Sequence, residues 1–179
     1  MLSRFVVWLA ATEGSIALHE SLWMYPIVET VHVLGIMLFA GMVAMVDLRL
    51  LGRAFTDTPV SEMSARVLPW TFAGFAVMAV SGALLFYAIP VRTFHSVWFR
   101  LKVALLIGAA INVWCFHRRV PRDRARWDRE KVPPCGARIS AAISLAVWAG
   151  VIVAGRMIAY DWADCGKPLP TWINWLAQC

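Results

Sequence analysis

The chain has 179 residues, 60% of them hydrophobic and only 16% charged, with 17 Lys and Arg against 11 Asp and Glu. An apolar share well above the roughly one half of ordinary globular domains argues against a soluble fold of this size. The net charge of +6 is uneven, and its concentration in one loop between apolar segments makes it a topology signal beside anionic lipid rather than a nucleic-acid surface.

In chain order, the first apolar stretch is Phe5 to Leu18, interrupted by Thr12, Glu13, Gly14 and Ser15. It is too short to cross a bilayer and is followed by no good small-residue cleavage site, so an interfacial helix at about 5–18 is expected, with Trp8 at headgroup level. Four longer apolar segments follow, at about 25–46, 67–90, 97–116 and 139–160, each near the ~20 residues that span a membrane. Glycine and alanine are scattered through them and strand-type alternation is absent. The fold expected is therefore all-α, a four-helix transmembrane bundle with an N-terminal interfacial helix, forming one integral-membrane domain over 1–179.

Orientation follows from charge. The loop 118–138 carries Arg118, Arg119, Arg122, Arg124, Arg126, Arg129, Lys131 and Arg138, and the loop after the first span carries Arg49, Arg53 and Arg66. The positive-inside rule makes both loops cytoplasmic and puts both termini, and the Pro90 to Trp98 loop, outside. On that reading Cys115 and Cys135 stay reduced, whereas Cys165 and Cys179 in the outer tail 161–179 form a disulfide closing a 15-residue loop. Trp162, Trp172 and Trp175 make that tail an interfacial cap.

The polar residues inside the apolar segments carry the functional signal, because an ionisable group within hydrocarbon needs a partner or a task. In the first span Glu29, His32, Ile36, Phe39, Val43 and Asp47 share one stripe. In the second, Gly74, Ser81 and Ala88 form a small-residue face that can receive either another helix or a flat cofactor. The uncharged run of the third, Val103 to Phe116, is too short for the bilayer, so Lys102 and Arg100 enter the span; Lys102 then either faces inward with Asn112 or reaches back to the headgroups. Arg156 lies one turn from the outer end of the fourth span.

On a common depth scale His32 lies roughly 12 Å and Lys102 roughly 8 Å below their outer helix ends, with Ser81 at similar depth. Glu29 and Arg156 lie shallower, and His19 and His95 just above. Three chemistries fit. Haem b needs an imidazole on iron, small and aromatic residues around the ring and cations for its propionates; His32, Gly74, Ser81, Phe39, Lys102, Arg100 and Arg156 supply these, with His95 first and His19 second as the other axial ligand. Copper would take His19, Met24 and His32, with Met37 or Met157. A proton path would use Glu29 with His32. A plain Glu29–Lys102 or Glu29–Arg156 ion pair that pins the bundle is the structural alternative. His117 lies half a membrane away, so one haem is expected, not two.

Glu29-Thr-Val-His32-Val-Leu-Gly35 with Phe39-Ala-Gly41 and Asp47-Leu-Arg49-Leu-Leu resembles the first helix of the superfamily of the copper-resistance protein D membrane domain and HemJ-type protoporphyrinogen oxidase. Trp98-Phe-Arg-Leu-Lys102-Val-Ala-Leu-Leu resembles the lysine-bearing third helix there, with Arg100 and Leu101 where those enzymes carry a histidine. The likeness covers roughly a quarter of the chain and is nearest to uncharacterised four-helix members. It implies four spans and haem b, with His32 and Lys102 at the positions of the essential histidine and lysine. Together these readings lead to the expectation of a bacterial inner-membrane b-type haem protein. It would pass electrons between a periplasmic redox partner and quinone, or serve as the membrane subunit of a larger redox complex. Copper handling and a non-catalytic membrane anchor are the alternatives.

Overall fold

The structure, a computed structural model, describes residues 2–119, 127–160 and 170–172. Seven helices follow one another among them: α1 (Leu2–Ala10), α2 (Glu13–Glu20), α3 (Met24–Leu50), α4 (Val60–Ala88), α5 (Pro90–His95), α6 (Val97–Arg119) and α7 (Cys135–Ala159). Four of them, α3, α4, α6 and α7, are long and apolar enough to cross a membrane. The molecule is thus an all-helical, four-span bundle, as the apolar segments indicate.

At one end of the bundle, here called the basic end, the helices outrun the apolar segments: α3 continues to Leu50, α4 begins at Val60, and α7 begins at Cys135. Backbone groups near a bilayer are best satisfied within the helix, so the hydrogen-bonded ladder continues after the apolar side chains stop. A glycine stops α3. Gly52 has φ 70°, its N–H bonds the Arg49 carbonyl at 3.0 Å and the next N–H, of Arg53, bonds the Leu48 carbonyl at 3.1 Å. This paired pattern needs the left-handed conformation that glycine adopts without strain.

Packing runs in two pairs. The α3 helix lies against α4, α6 against α7, and the pairs meet along α3 and α7. The α3–α4 crossing is close because glycine stands on both sides of it. A Cβ on Gly35 would lie 3.0 Å from the Met78 nitrogen, and one on Gly74 would lie 2.7 Å from the Phe39 nitrogen. Small residues that let backbones approach drive association where lipid offers no hydrophobic force between helices. On the other pair, Asn112 Nδ2 donates to the Ser140 carbonyl and Ser140 Oγ donates to Asn112 Oδ1, both at 3.0 Å. The outer faces expose Leu34, Met37, Phe72, Val80, Ile107 and Val153, as lipid-facing surfaces should.

The basic end is held by a fully buried arginine. Arg49 donates through Nε to the Thr58 carbonyl at 2.7 Å and through Nη2 to the carbonyls of Glu130 at 3.1 Å and Asp128 at 3.4 Å. It ties the segment before α4 to the segment before α7, above an apolar cluster of Leu50, Val60, Trp127, Ala137 and Ala141.

At the opposite end the structure corrects two expectations. The N-terminal stretch is not one helix over 5–18 but two, because Thr12 caps α2 by accepting from the Ser15 N–H at 3.4 Å while its hydroxyl donates to the Leu9 carbonyl at 2.7 Å. Tyr87 anchors the pair: its hydroxyl meets that of Thr12 at 2.8 Å, and its carbonyl accepts from Ser15 Oγ at 2.7 Å. The second correction concerns Pro90 to Trp98, which is not a plain loop but holds α5, started by Pro90 in its first turn. Cys115 and Cys135 are free thiols. The proposed Cys165–Cys179 bridge and the tail cap fall outside the described residues, apart from an exposed Trp172.

Candidate functional site

His32 is the centre. It sits on α3 with only 9% of its surface exposed, two turns above the Phe39 crossing. Its Nδ1 meets Ser81 Oγ of α4 at 3.0 Å. The Ser81 hydroxyl already donates to the Val77 carbonyl at 2.5 Å, so it accepts from the imidazole. That places the ring proton on Nδ1 and leaves the lone pair on Nε2. The ring lies directly on Gly82, where a Cβ would come within 3.0 Å of Cε1. A serine followed by glycine therefore fixes both the tautomer and the position of the ring.

Lys102 of α6 joins this layer. Its ammonium lies 3.5 Å from where a Cβ on Gly155 of α7 would stand, close enough for its charge to bear on His32. Among the described residues it has neither an ion-pair nor a hydrogen-bond partner. The structural alternative, a pair between Glu29 and Lys102 or Arg156, does not form; Glu29 is half-buried on α3, one turn above His32. A positive charge without an anion, beside an imidazole with a free lone pair, is the chemical character of the site. All four spanning helices contribute to it.

The other expected residues distribute differently. Phe39 and Gly74 are brought together, but with each other: the Phe39 backbone occupies the space beside Gly74, so no flat ring fits there. Phe39 instead packs edge-on to Trp148 at 4.6 Å and against Phe75 at 5.8 Å, an aromatic layer nearer the basic end than His32. His95 and Arg100 gather around Phe94, His95 edge-on at 5.5 Å and Arg100 5.6 Å above the ring. Arg156 turns outward, bonding the Tyr160 hydroxyl at 2.7 Å and lying 5.0 Å over its ring, as a cation drawn to the bilayer edge would. His19 is exposed, with its ring edge-on to Tyr25 at 6.3 Å, and Met24 is 53% exposed, so the copper set is not assembled around the buried His32. His117 is exposed and bonds the Val113 carbonyl of its own helix at 2.8 Å. Among the described residues no three His, Cys, Asp or Glu side chains come together as a metal site.

Two residues of the site were not picked from the sequence, Gly82 and Gly155. The seven-residue spacing of Gly74, Ser81 and Ala88 drew the small-residue face one position away from Gly82, and the charge of Arg156 masked its neighbour. Glycine at the depth of an intramembrane histidine or lysine is the signal that would have found both.

A bundle of four spans with a buried imidazole and an unpaired lysine in one layer defines a small multi-pass helical membrane protein with an internal polar site. Residues 10–161 match the family of unknown function DUF6644, and the chain belongs to that family. No curated protein and no solved structure matches it.

Proposed function

We propose that the protein is a b-type haem protein of the bacterial inner membrane that passes electrons between a periplasmic redox partner and quinone, alone or as the membrane subunit of a redox complex. The observation that carries this reading is the state of His32. Metal-binding histidines characteristically donate one ring N–H to a fixed acceptor, which orients the ring and leaves the other nitrogen for the metal. Ser81 serves as that acceptor, leaving Nε2 as the ligating atom.

The residues present fit haem in two respects and restrict where it can sit. His32 offers a ligating nitrogen and Lys102 a cation that would hold a propionate, while the space beside Gly82 and Gly155 is taken by the His32 ring and the Lys102 side chain themselves. The Gly74 level is closed by Phe39, so the ring would lie in the His32 and Lys102 layer, with Phe39 and Trp148 separating it from the basic end. When bound, haem b supplies a reversible one-electron couple. The resemblance of the first and third helices to the copper-resistance and HemJ-type superfamily supports the same assignment, and the charge of the 118–138 loop supports a cytoplasmic basic end.

The His32–Ser81 bond equally suits a second reading, in which it is a cross-link between α3 and α4 in a membrane anchor without a cofactor. Reduced-minus-oxidised absorption spectra of the purified full chain separate the two. A sharp Soret and α band that His32→Ala abolishes, with Ser81→Ala lowering haem retention, is expected. A colourless preparation free of copper would leave the anchor, a colourless one retaining copper would move the assignment to copper handling, and unchanged haem content in His32→Ala would remove His32 as the ligand.

A further inference from the structure

The basic half of the bundle holds a second ionisable group that the site above does not use. Asp47 of α3 is 6% exposed and stands 15 residues beyond His32, or roughly 22 Å along the helix, with the Phe39–Trp148 layer between them. Its carboxyl is bonded by the Ser144 hydroxyl of α7, while among the described residues Oδ2 is buried without any hydrogen-bond partner. No cation among the described residues forms an ion pair with it. Arg49, two positions on, projects to the other side of α3 and directs Nε and Nη2 at the carbonyls of Thr58, Asp128 and Glu130, with Nη1 buried and unbonded. On α4, Arg66 pairs with Glu62 at the surface, and Arg138 at the start of α7 is exposed.

An ionised carboxylate in that position would be a buried charge with one hydroxyl for compensation, which the interior of a membrane protein penalises heavily. A metal ion needs several converging ligands, and this place offers one carboxyl and one hydroxyl. The ligand that a single carboxyl satisfies is a proton. We propose that Asp47 is a proton-binding site on the basic side of the bundle, positioned by Ser144, which holds a proton taken from the water at that end. Loading forms one O–H bond at Oδ2 and breaks one in a hydronium ion, leaving water, and no electrons move. Only three residues of α3 lie beyond Asp47, so the route to water is short, whereas the aromatic layer closes the way toward His32. The proposal does not rest on haem at His32.

Infrared spectroscopy of the full chain in liposomes at neutral pH, with carbonyl-13C aspartate as the label, tests it. The wild type is expected to show a protonated-carboxyl stretch that carries the isotope shift, moves to lower frequency in D2O and is lost in Asp47→Asn. In Ser144→Ala the band should persist at higher frequency, because the hydrogen bond from the serine is gone. Helicity and monodisperse elution report whether Asp47→Asn folds; if it does not, the Ser144→Ala shift alone identifies the band. A wild type with only carboxylate bands from aspartate, or a protonated band indifferent to both substitutions, overturns the proposal.

Discussion

Gly74 and Gly41 show how differently two glycines in neighbouring spans can behave. A methyl group on Gly74 would meet the Phe39 nitrogen at 2.7 Å, a backbone atom that cannot yield without parting the helices, whereas Gly41 has nothing within 4 Å. Gly74→Ala is therefore expected to destabilise the bundle by about 1–3 kcal/mol, in the range of overpacked cores, while Gly41→Ala is neutral or stabilising by up to about 1 kcal/mol through helix propensity. Unfolding midpoints in a mixed-micelle titration check both. Gly82→Ala is a different case, because its neighbour at 3.0 Å is the tip of the His32 ring, which can turn. It should displace the imidazole with little change in midpoint and, on the proposed haem assignment, lower haem retention; equal retention would show that the ring position is not critical. His32, Ser81 and Lys102 were legible as residues because polarity inside an apolar run is visible in a bare sequence. That Phe39 would fill the space beside Gly74 was not, since a small-residue face looks the same whether a helix or a cofactor lies on it.

The short elements are held by few, identifiable bonds. Removing the Tyr87 hydroxyl breaks the contact to Thr12 but leaves the Ser15 bond to the Tyr87 carbonyl. Tyr87→Phe should accordingly loosen α1 and α2 by about 0.5–1.5 kcal/mol without unfolding the spans. Faster amide exchange confined to residues 2–20 is the expected readout, and exchange spread over α3 and α4 would contradict it. Arg49 is the counterpart at the basic end. Lysine keeps the charge but cannot reach three carbonyls from one planar group, so Arg49→Lys should cost several kcal/mol and free the segments around Thr58 and Glu130 for proteolysis. The division of the N-terminal stretch at Thr12 was hidden in the sequence because Thr, Gly and Ser can interrupt an interfacial helix or merely face the solvent. The bond to Tyr87, 75 residues away, decided it.

Across the whole molecule, the even number of spans puts Cys135 and the segment around Thr58 at one end and α1, α2 and α5 at the other. In the orientation we propose from the positive-inside rule, the first of these is cytoplasmic. In a variant keeping Cys135 as its single cysteine, a membrane-impermeant maleimide should label inverted vesicles and spare intact spheroplasts. Labelling in the opposite pattern would reverse the proposed orientation and place His32 nearer the cytoplasm.

The number of spans, their approximate limits and the presence of ionisable groups within them were set by the amino-acid sequence alone, because transfer of a 20-residue apolar segment into lipid is a local property that needs no neighbour. Which of those groups meet was decided only by the tertiary structure. Partnering depends on the rotation of each helix about its axis, and that rotation is fixed by where backbones can touch, as at Gly35 and Gly74. Those contacts turn His32 onto Ser81 and Gly82, bring Lys102 beside Gly155, and leave Arg156 facing outward.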